Sequence, residues 1–344
     1  MNAALSPFEL RLSNPLETSD GRIDQRMGWI ITAGNDVTGY GEATPLPGFT
    51  ESRADCESAL SAAITHLQAD AVPAAYAAVT DRPAARHGLA TALLDRQGKE
   101  TGRPLYRLLG ADHEVDAIAV NATIGHADPQ STADAASSAV EDGFRTLKIK
   151  VGTGSLDRDV DRIAAVRDAV GEEVSLRVDA NGAWDRETAA EAIDRFLADD
   201  VALIEQPLPA GDLAGHRSLR GRLPIALDES LTAHDPQAVL AADAADALVL
   251  KPMALGGPDV ARAVAHRARR AGVAPIVSNT IDGAIARTAA VHVAASIPDR
   301  PAAGLATGSL LATDVAPDPA PVVDGRIAVP QTPGLGISEV QVDA

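Results

Sequence analysis

The sequence predicts an α/β fold, a modified parallel barrel of the (β/α)7β type carrying an N-terminal α+β capping domain that the C-terminal segment completes. Three observations lead there. From about residue 115, short β-branched runs alternate with Ala-rich, Asp/Arg-studded helical stretches of about 20 residues. Charged residues break one run after another at its C-terminal end. The last run is soon followed by Asp314-Val315-Ala316-Pro317-Asp318-Pro319, a poor start for an ordinary final helix. The expected division is a cap over 1–114, a barrel with the site over 115–312, and a returning segment over 313–344.

Residues 6–13 and 26–34 alternate and predict strands, joined by a polar loop containing Ser19-Asp20-Gly21-Arg22. The glycines and prolines of Gly39–Thr50 predict an irregular, shaped loop. Helices are expected from about Ser52 to Gln68, near 83–98, and over Pro104–Leu109, the last stopped by Gly110. The barrel runs are Ala117–Thr123, Thr146–Val151, Val174–Asp179, Ala202–Glu205, Pro224–Asp228, Ala247–Lys251, Pro275–Ser278 and, more weakly, Gly304–Thr307. Gly325–Val329 reads as one more strand, returning to the first domain.

Composition narrows the function. A net charge of −18 argues against nucleic acid, whose phosphates require a basic patch. No Lys/Arg run suggests an anionic membrane, and no stretch approaches a membrane span. Cys56 is the only cysteine, so no intrachain disulfide can form and a reducing compartment fits. The opening residues have neither a basic n-region nor an apolar h-region, so a cytoplasmic protein is expected. Acidic charge, scarce lysine and aromatics at 3% together suggest a salt-rich cytoplasm.

Lysine is scarce, yet three of the four lysines (Lys148, Lys150 and Lys251) stand where strands end; the fourth is Lys99. In a strand, Lys148 and Lys150 share one face, and Leu147, Ile149 and Val151 the other. Two adjacent ammonium groups repel, so a purely structural strand would avoid them. The other barrel strand ends supply Arg177, Asp179 and Asn181, then Glu205, then Asp228 and Glu229, then Ser278 and Asn279. In a parallel barrel those ends carry the chemistry.

Asp179, Glu205 and Asp228 lie 26 and 23 residues apart, one β/α unit each. Three converging carboxylates repel unless a cation sits among them, and hard oxygen ligands select Mg²⁺, with Mn²⁺ as substitute. A lysine is a base only when neutral, and a neighbouring ammonium or divalent cation lowers its pKa. The set suits removal of a proton α to a carboxylate, with the metal stabilising the enediolate. Gly152-Thr153-Gly154-Ser155-Leu156-Asp157 looks like a dinucleotide loop, but Asp157 stands at the third glycine and would oppose a pyrophosphate, so a helix start explains it better. His126 reads as a surface histidine.

These residues resemble the enolase superfamily. The resemblance rests on Lys148-Ile149-Lys150, Val178-Asp179-Ala180-Asn181-Gly182-Ala183-Trp184, Ile204-Glu205-Gln206-Pro207, Leu227-Asp228-Glu229-Ser230 and Leu250-Lys251-Pro252. In the cap it rests on Gly41–Phe49 and Gly102–Gly110, and near the end on Pro333-Gly334-Leu335-Gly336. The lysine pair and the lone sixth-strand lysine resemble the muconate-lactonizing subgroup. The mandelate racemase type would need a His where Ser278-Asn279 stands. Dipeptide epimerases usually carry Asp-x-Asp where this chain has Gly304-Leu305-Ala306-Thr307-Gly308-Ser309.

Arg177 and that eighth strand are most similar to the o-succinylbenzoate synthases of menaquinone biosynthesis. The resemblance implies syn dehydration of the cyclohexadiene carboxylate precursor (SHCHC), a small-molecule substrate. It also implies Asp179, Glu205 and Asp228 as metal ligands and Lys150 as the base that then protonates the departing hydroxyl. Lys148 would tune it, and Lys251 would lie against the opposite face of the substrate. Asn181 and Glu229 would stand behind the metal ligands, and Arg177 would orient them. Ser278 and Asn279 would either hold the succinyl arm or simply bond at a strand end. N-succinylamino-acid racemisation, muconate-type cycloisomerisation and a non-catalytic barrel are the alternatives. The loops near Ser19–Gln25 and Pro45–Thr50 are expected to close over the mouth.

Overall fold

The computed structural model describes residues 1–18 and 21–341. The chain opens with β1 (Ala3–Thr18) and β2 (Gly21–Ala33), antiparallel from Ala3↔Ala33 to Thr18↔Gly21. Pairing thus continues through residues expected as a loop, with one register break between Arg11 and Leu16. Gly21 and Arg22 are strand residues, while Ser19 and Asp20 lie outside the described residues. The backbone ladder needs no apolar alternation, which is why the pattern ended before the strands did.

A third strand, β3 (Gly39–Ala43), completes the sheet in the order β1-β2-β3. A loop was expected over Gly39–Thr50, and its first part is regular. Its glycines serve close approach rather than a turn. A Cβ at Gly41 would lie 1.9 Å from the Gly88 carbonyl oxygen, and one at Gly39 2.0 Å from that of Ala92. The helix Pro83–Thr101 therefore packs directly on the strand backbone. Helices Arg53–Gln68, capped by the Ser52 hydroxyl, and Leu105–Leu108 match expectation. Val72–Ala78 is a further helix, too short to show a period.

The barrel follows. After β4 (Ala117–Ala119) come β5 (Ala122–Ile124), β6 (Thr146–Lys150), β7 (Ser175–Asp179), β8 (Val201–Glu205), β9 (Ile225–Leu227), β10 (Ala247–Leu250) and β11 (Ala274–Val277). Strands β5 to β11 form one seven-stranded parallel sheet in sequential order. Two expectations need correction. The run Ala117–Thr123 is broken in two, because Val120 and Asn121 donate their N–H groups to the carbonyls of Gly325 and Ala303. The eighth strand shrinks to two bridges, Ser278↔Gly304 and Val120↔Ala303, which join the two edges of the sheet.

Two tail strands, β12 (Val322–Val323) and β13 (Arg326–Ala328), are antiparallel, and β13 pairs with β4. The expected return of this strand to the first domain is corrected: it stays with the start of the barrel. The contact with the cap comes later, where Leu105 donates to the Gly334 carbonyl (2.8 Å) and Leu335 to Asp95 (2.7 Å).

The helix Ala284–Ala295, which follows β11, is buried at every residue. A helix apolar on all sides needs neighbours on all sides. It joins the barrel core through Val291 and Val293 and the cap cores through Ile285, Ala286 and Ala289. Arg287 pairs with Asp314 and Asp318 and His292 sits between the Tyr106 N–H and the Leu335 carbonyl, whereas the buried Thr288 hydroxyl has no hydrogen-bond partner. Among the described residues, no helix is long and apolar enough to cross a membrane.

Two predictions follow from these packings. Gly41→Ala should destabilise the fold by about 3 kcal/mol, the upper end for overpacking because a backbone carbonyl must move, measured by urea unfolding. Burial pushes the His292 imidazole down to about 4. The unfolded chain then binds the proton first, so His292 contributes stability above pH 6.5 that is lost as pH falls toward 4. That loss should be on the order of 3 kcal/mol, and His292→Gln should flatten the pH dependence of unfolding across the same window.

Candidate active site

Parallel register assembles the site. Lys150 stands beside Asp179 on β7, and Asp179 beside Glu205 on β8. Asp228 follows β9, and Lys251 follows β10. Along β6 the apolar Leu147 and Ile149 are buried, and Lys148 and Lys150 are partly open, as the two-residue period requires. The three carboxylates are buried, their side chains 1%, 4% and 6% exposed for Asp179, Glu205 and Asp228.

Buried carboxylates need counter-charge, and here lysines supply it. Lys148 Nζ donates to Asp179 Oδ2 (2.9 Å) and Glu205 Oε1 (3.0 Å). Lys150 Nζ donates to the same Asp179 oxygen (2.7 Å) and to Asn181 Oδ1 (2.8 Å). Lys251 Nζ donates to Asp228 Oδ2 (2.6 Å). Among the described residues, no three His, Cys, Asp or Glu side chains are clustered as metal ligands. Each of the three carboxylates expected to converge on a cation accepts an ammonium here. Burial pulls the Lys148 ammonium down, but Asp179 and Glu205 outweigh it and hold Lys148 above the usual lysine range.

Burial raises all three carboxyls, and their partners then separate them. Asp179, with two ammonium groups, is carried below the ordinary carboxylate range. Glu205, raised by burial and by the Asp179 charge, goes up to about 7. Asp228 is raised by burial to about 6, with Lys251 opposing.

The supporting groups are equally specific. Asn181, at φ +46°, accepts Lys150 and donates through Nδ2 to Glu229 Oε1 (2.9 Å). The other Glu229 oxygen, Oε2, is buried without a hydrogen-bond partner. Such an orphan acceptor suits a bound cation or its water. Arg177, buried on β7, donates to the Ala302 carbonyl (2.9 Å), tying the third barrel strand to the closing segment. Ser278 donates to the Gly304 carbonyl (3.1 Å) and Asn279 to Thr307 Oγ1 (2.8 Å), so both fasten β11 to that segment. His126 is exposed and bonds Thr153. The glycine-rich stretch after β6 is a helix start, with Ser155 capping Arg158 N–H and Asp159 accepting Gly152 N–H.

Two residues of the site emerge only from the fold. Gln206 is buried and accepts the N–H groups of Asp228 and Ser230 at one oxygen, fixing the turn that carries Asp228. In the sequence Gln206 appears as the residue after Glu205 in the Ile204-Glu205-Gln206-Pro207 motif, with nothing to give its role. Phe49, from the cap loop, lays its ring 3.8 Å from Lys251 Nζ. The Pro45–Thr50 loop thus reaches the mouth, and a cation–π contact holds it there.

Comparison with known proteins agrees with this architecture. Residues 131–341 match the family described as enolase C-terminal domain-like. Residues 9–110 match the N-terminal domain of mandelate racemase/muconate lactonizing enzyme. The o-succinylbenzoate synthase of Thermobifida fusca is 38% identical, over 66% of this chain and 72% of its own. The N-succinyl-L-Arg/Lys racemase of Bacillus cereus is 30% identical, over 85% and 83%. A dipeptide epimerase of Enterococcus faecalis, solved with Mg and L-Leu-L-Tyr, superposes with a TM-score of 0.88 at 27% identity, covering 98% of this chain and 99% of that one. Other epimerases and the muconate cycloisomerases match comparably.

Lys148→Met should leave two buried carboxylates short of an ammonium and cost about 3 kcal/mol in urea unfolding. Adding Glu205→Gln should return part of that loss, because the pair shares one lysine.

Proposed function

This chain belongs to the enolase superfamily, with the paired domains of its mandelate racemase/muconate lactonizing members, and we propose that it is a Mg²⁺-dependent o-succinylbenzoate synthase. The observation that carries the chemistry is the pairing of three strand-end lysines with three buried carboxylates at one barrel mouth. Likeness to the Thermobifida fusca synthase and the absence of Asp-x-Asp in Gly304–Ser309 support the choice of reaction.

Asp179, Glu205 and Asp228 would hold the cation, backed by Glu229. A divalent cation there supplies positive charge to the substrate carboxylate, where negative charge builds as the α-proton leaves. Lys150 is held by Asp179 and Asn181, with the Lys148 ammonium on the same Asp179 oxygen. Lys150 then takes the α-proton and returns it to the departing hydroxyl on the same face, as syn elimination requires. Asn181 orients Lys150. Lys251, held by Asp228, presents its charge to the opposite face of the developing ring. Asn279 would meet the succinyl arm through the second Nδ2 N–H that its bond to Thr307 leaves free, and Ser278 by turning its hydroxyl away from the Gly304 carbonyl.

A second reading is N-succinylamino-acid racemisation. Lysines anchored by separate carboxylates, Lys150 by Asp179 and Lys251 by Asp228, would equally serve as two bases across one stereocentre. The salt-rich cytoplasm rests on composition alone, so assays belong in both dilute buffer and molar salt.

The deciding measurement is SHCHC turnover with Mg²⁺, with EDTA, and by Lys150→Ala. We expect Mg²⁺-dependent dehydration that falls at least about 10³-fold in the variant. Lys251→Arg should retain part of the dehydration while abolishing any racemisation. Deuterium uptake by N-succinylamino acids without dehydration would replace this reading with the second.

A further inference from the structure

After β11 the chain turns through Ser278-Asn279-Thr280-Ile281-Asp282-Gly283 into the buried helix Ala284–Ala295. Within that turn Ile281 sits at φ +60°. A β-branched side chain crowds its own backbone in this left-handed region and stays there only where the surroundings over-determine it.

Those surroundings come from the cap. Arg26, buried on β2, donates through Nε to the Ile281 carbonyl (3.3 Å). Its other nitrogens donate to the carbonyls of Pro45 (3.2 Å) and Thr44 (2.8 Å), the root of the loop that carries Phe49. Glu42, fully buried on β3, accepts the N–H of Gly283 at Oε1 (2.7 Å) and that of Ala286 at Oε2 (2.9 Å). The Ile281 side chain packs, partly buried, against the cluster in which cap residues such as Phe8 and Ile30 meet Ala284 and Ile285. Gly283 is required here, since a Cβ would lie 2.9 Å from the Glu42 carboxylate. Cap residues thus hold the Ile281 carbonyl and the Gly283 and Ala286 amides, while Asp314 accepts the Ala284 amide and Arg287 donates to the Asp282 carbonyl. Asn279, in the same turn, reaches Thr307 in the closing segment.

We propose that Arg26 and Glu42 are positioning residues, holding the left-handed Asn279–Gly283 turn and the root of the Phe49 loop as one rim over the barrel mouth. The proposal rests on the mouth being the substrate site. Lys148, Lys150, Asp179 and Glu205 stand on the barrel strands, whereas Lys251 meets the rim through the Phe49 ring. Loss of the clamp therefore weakens substrate binding more than proton transfer.

The test is Arg26→Met, alone and combined with Ile281→Gly. In the single variant KM should rise about tenfold while kcat stays within about threefold. Glycine adopts the left-handed conformation without a steric cost, so adding Ile281→Gly should recover most of the KM loss. In the substrate-free protein, amide exchange at Gly283 and Ala286 should quicken at least about tenfold in Arg26→Met, with β6 to β8 unchanged. Unchanged exchange at Gly283 in folded Arg26→Met, or a KM loss that Ile281→Gly leaves intact, overturns the proposal. If Arg26→Met does not fold, Arg26→Lys is read in the same way. If the wild type does not turn over SHCHC, the substrate reading fails, and exchange at Gly283 alone decides the clamp.

Discussion

Charge compensation inside a water-poor barrel mouth governs this protein. Asp179, Glu205 and Asp228 are nearly closed to solvent, and three carboxylates so placed cannot all remain ionised without cations. Lys148, Lys150 and Lys251 answer that demand, each within 3.0 Å of a carboxylate oxygen. The arrangement is poised rather than inert. Any change in the charge of one carboxylate alters the company of the lysine bound to it.

The barrel offers the strand ends, but the mouth is finished by the cap. Phe49 reaches Lys251, Arg26 and Glu42 reach the turn after β11, and the helix Ala284–Ala295 is shared by cap and barrel cores. The same elements therefore serve stability and the shape of the site. In the proposed reading the strand-borne groups would carry the proton transfer and the rim would shape the space around the substrate.

Much of this was legible in the chain. Lys148 and Lys150 two residues apart in a β-branched run, and carboxylates spaced one β/α unit apart, mark the barrel strands and the ends at which these groups gather. Glycine was the least legible residue. Gly39 and Gly41 read as loop residues, yet they sit in β3 because the helix Pro83–Thr101 approaches too closely for any Cβ. Local composition cannot tell a glycine that turns from one that lets another backbone approach.

By itself, then, the sequence determined the order of the elements, the residues at the strand ends and the type of chemistry they suit, since all three follow from local period and side-chain identity. Tertiary structure decided the partners. That Lys148 bridges Asp179 and Glu205, that β13 pairs with β4, that Gln206 holds the Asp228 turn, and that Ile281 is held left-handed by Arg26 are contacts between segments distant in the chain. Such contacts depend on barrel closure and cap docking, and no local pattern of residues encodes them.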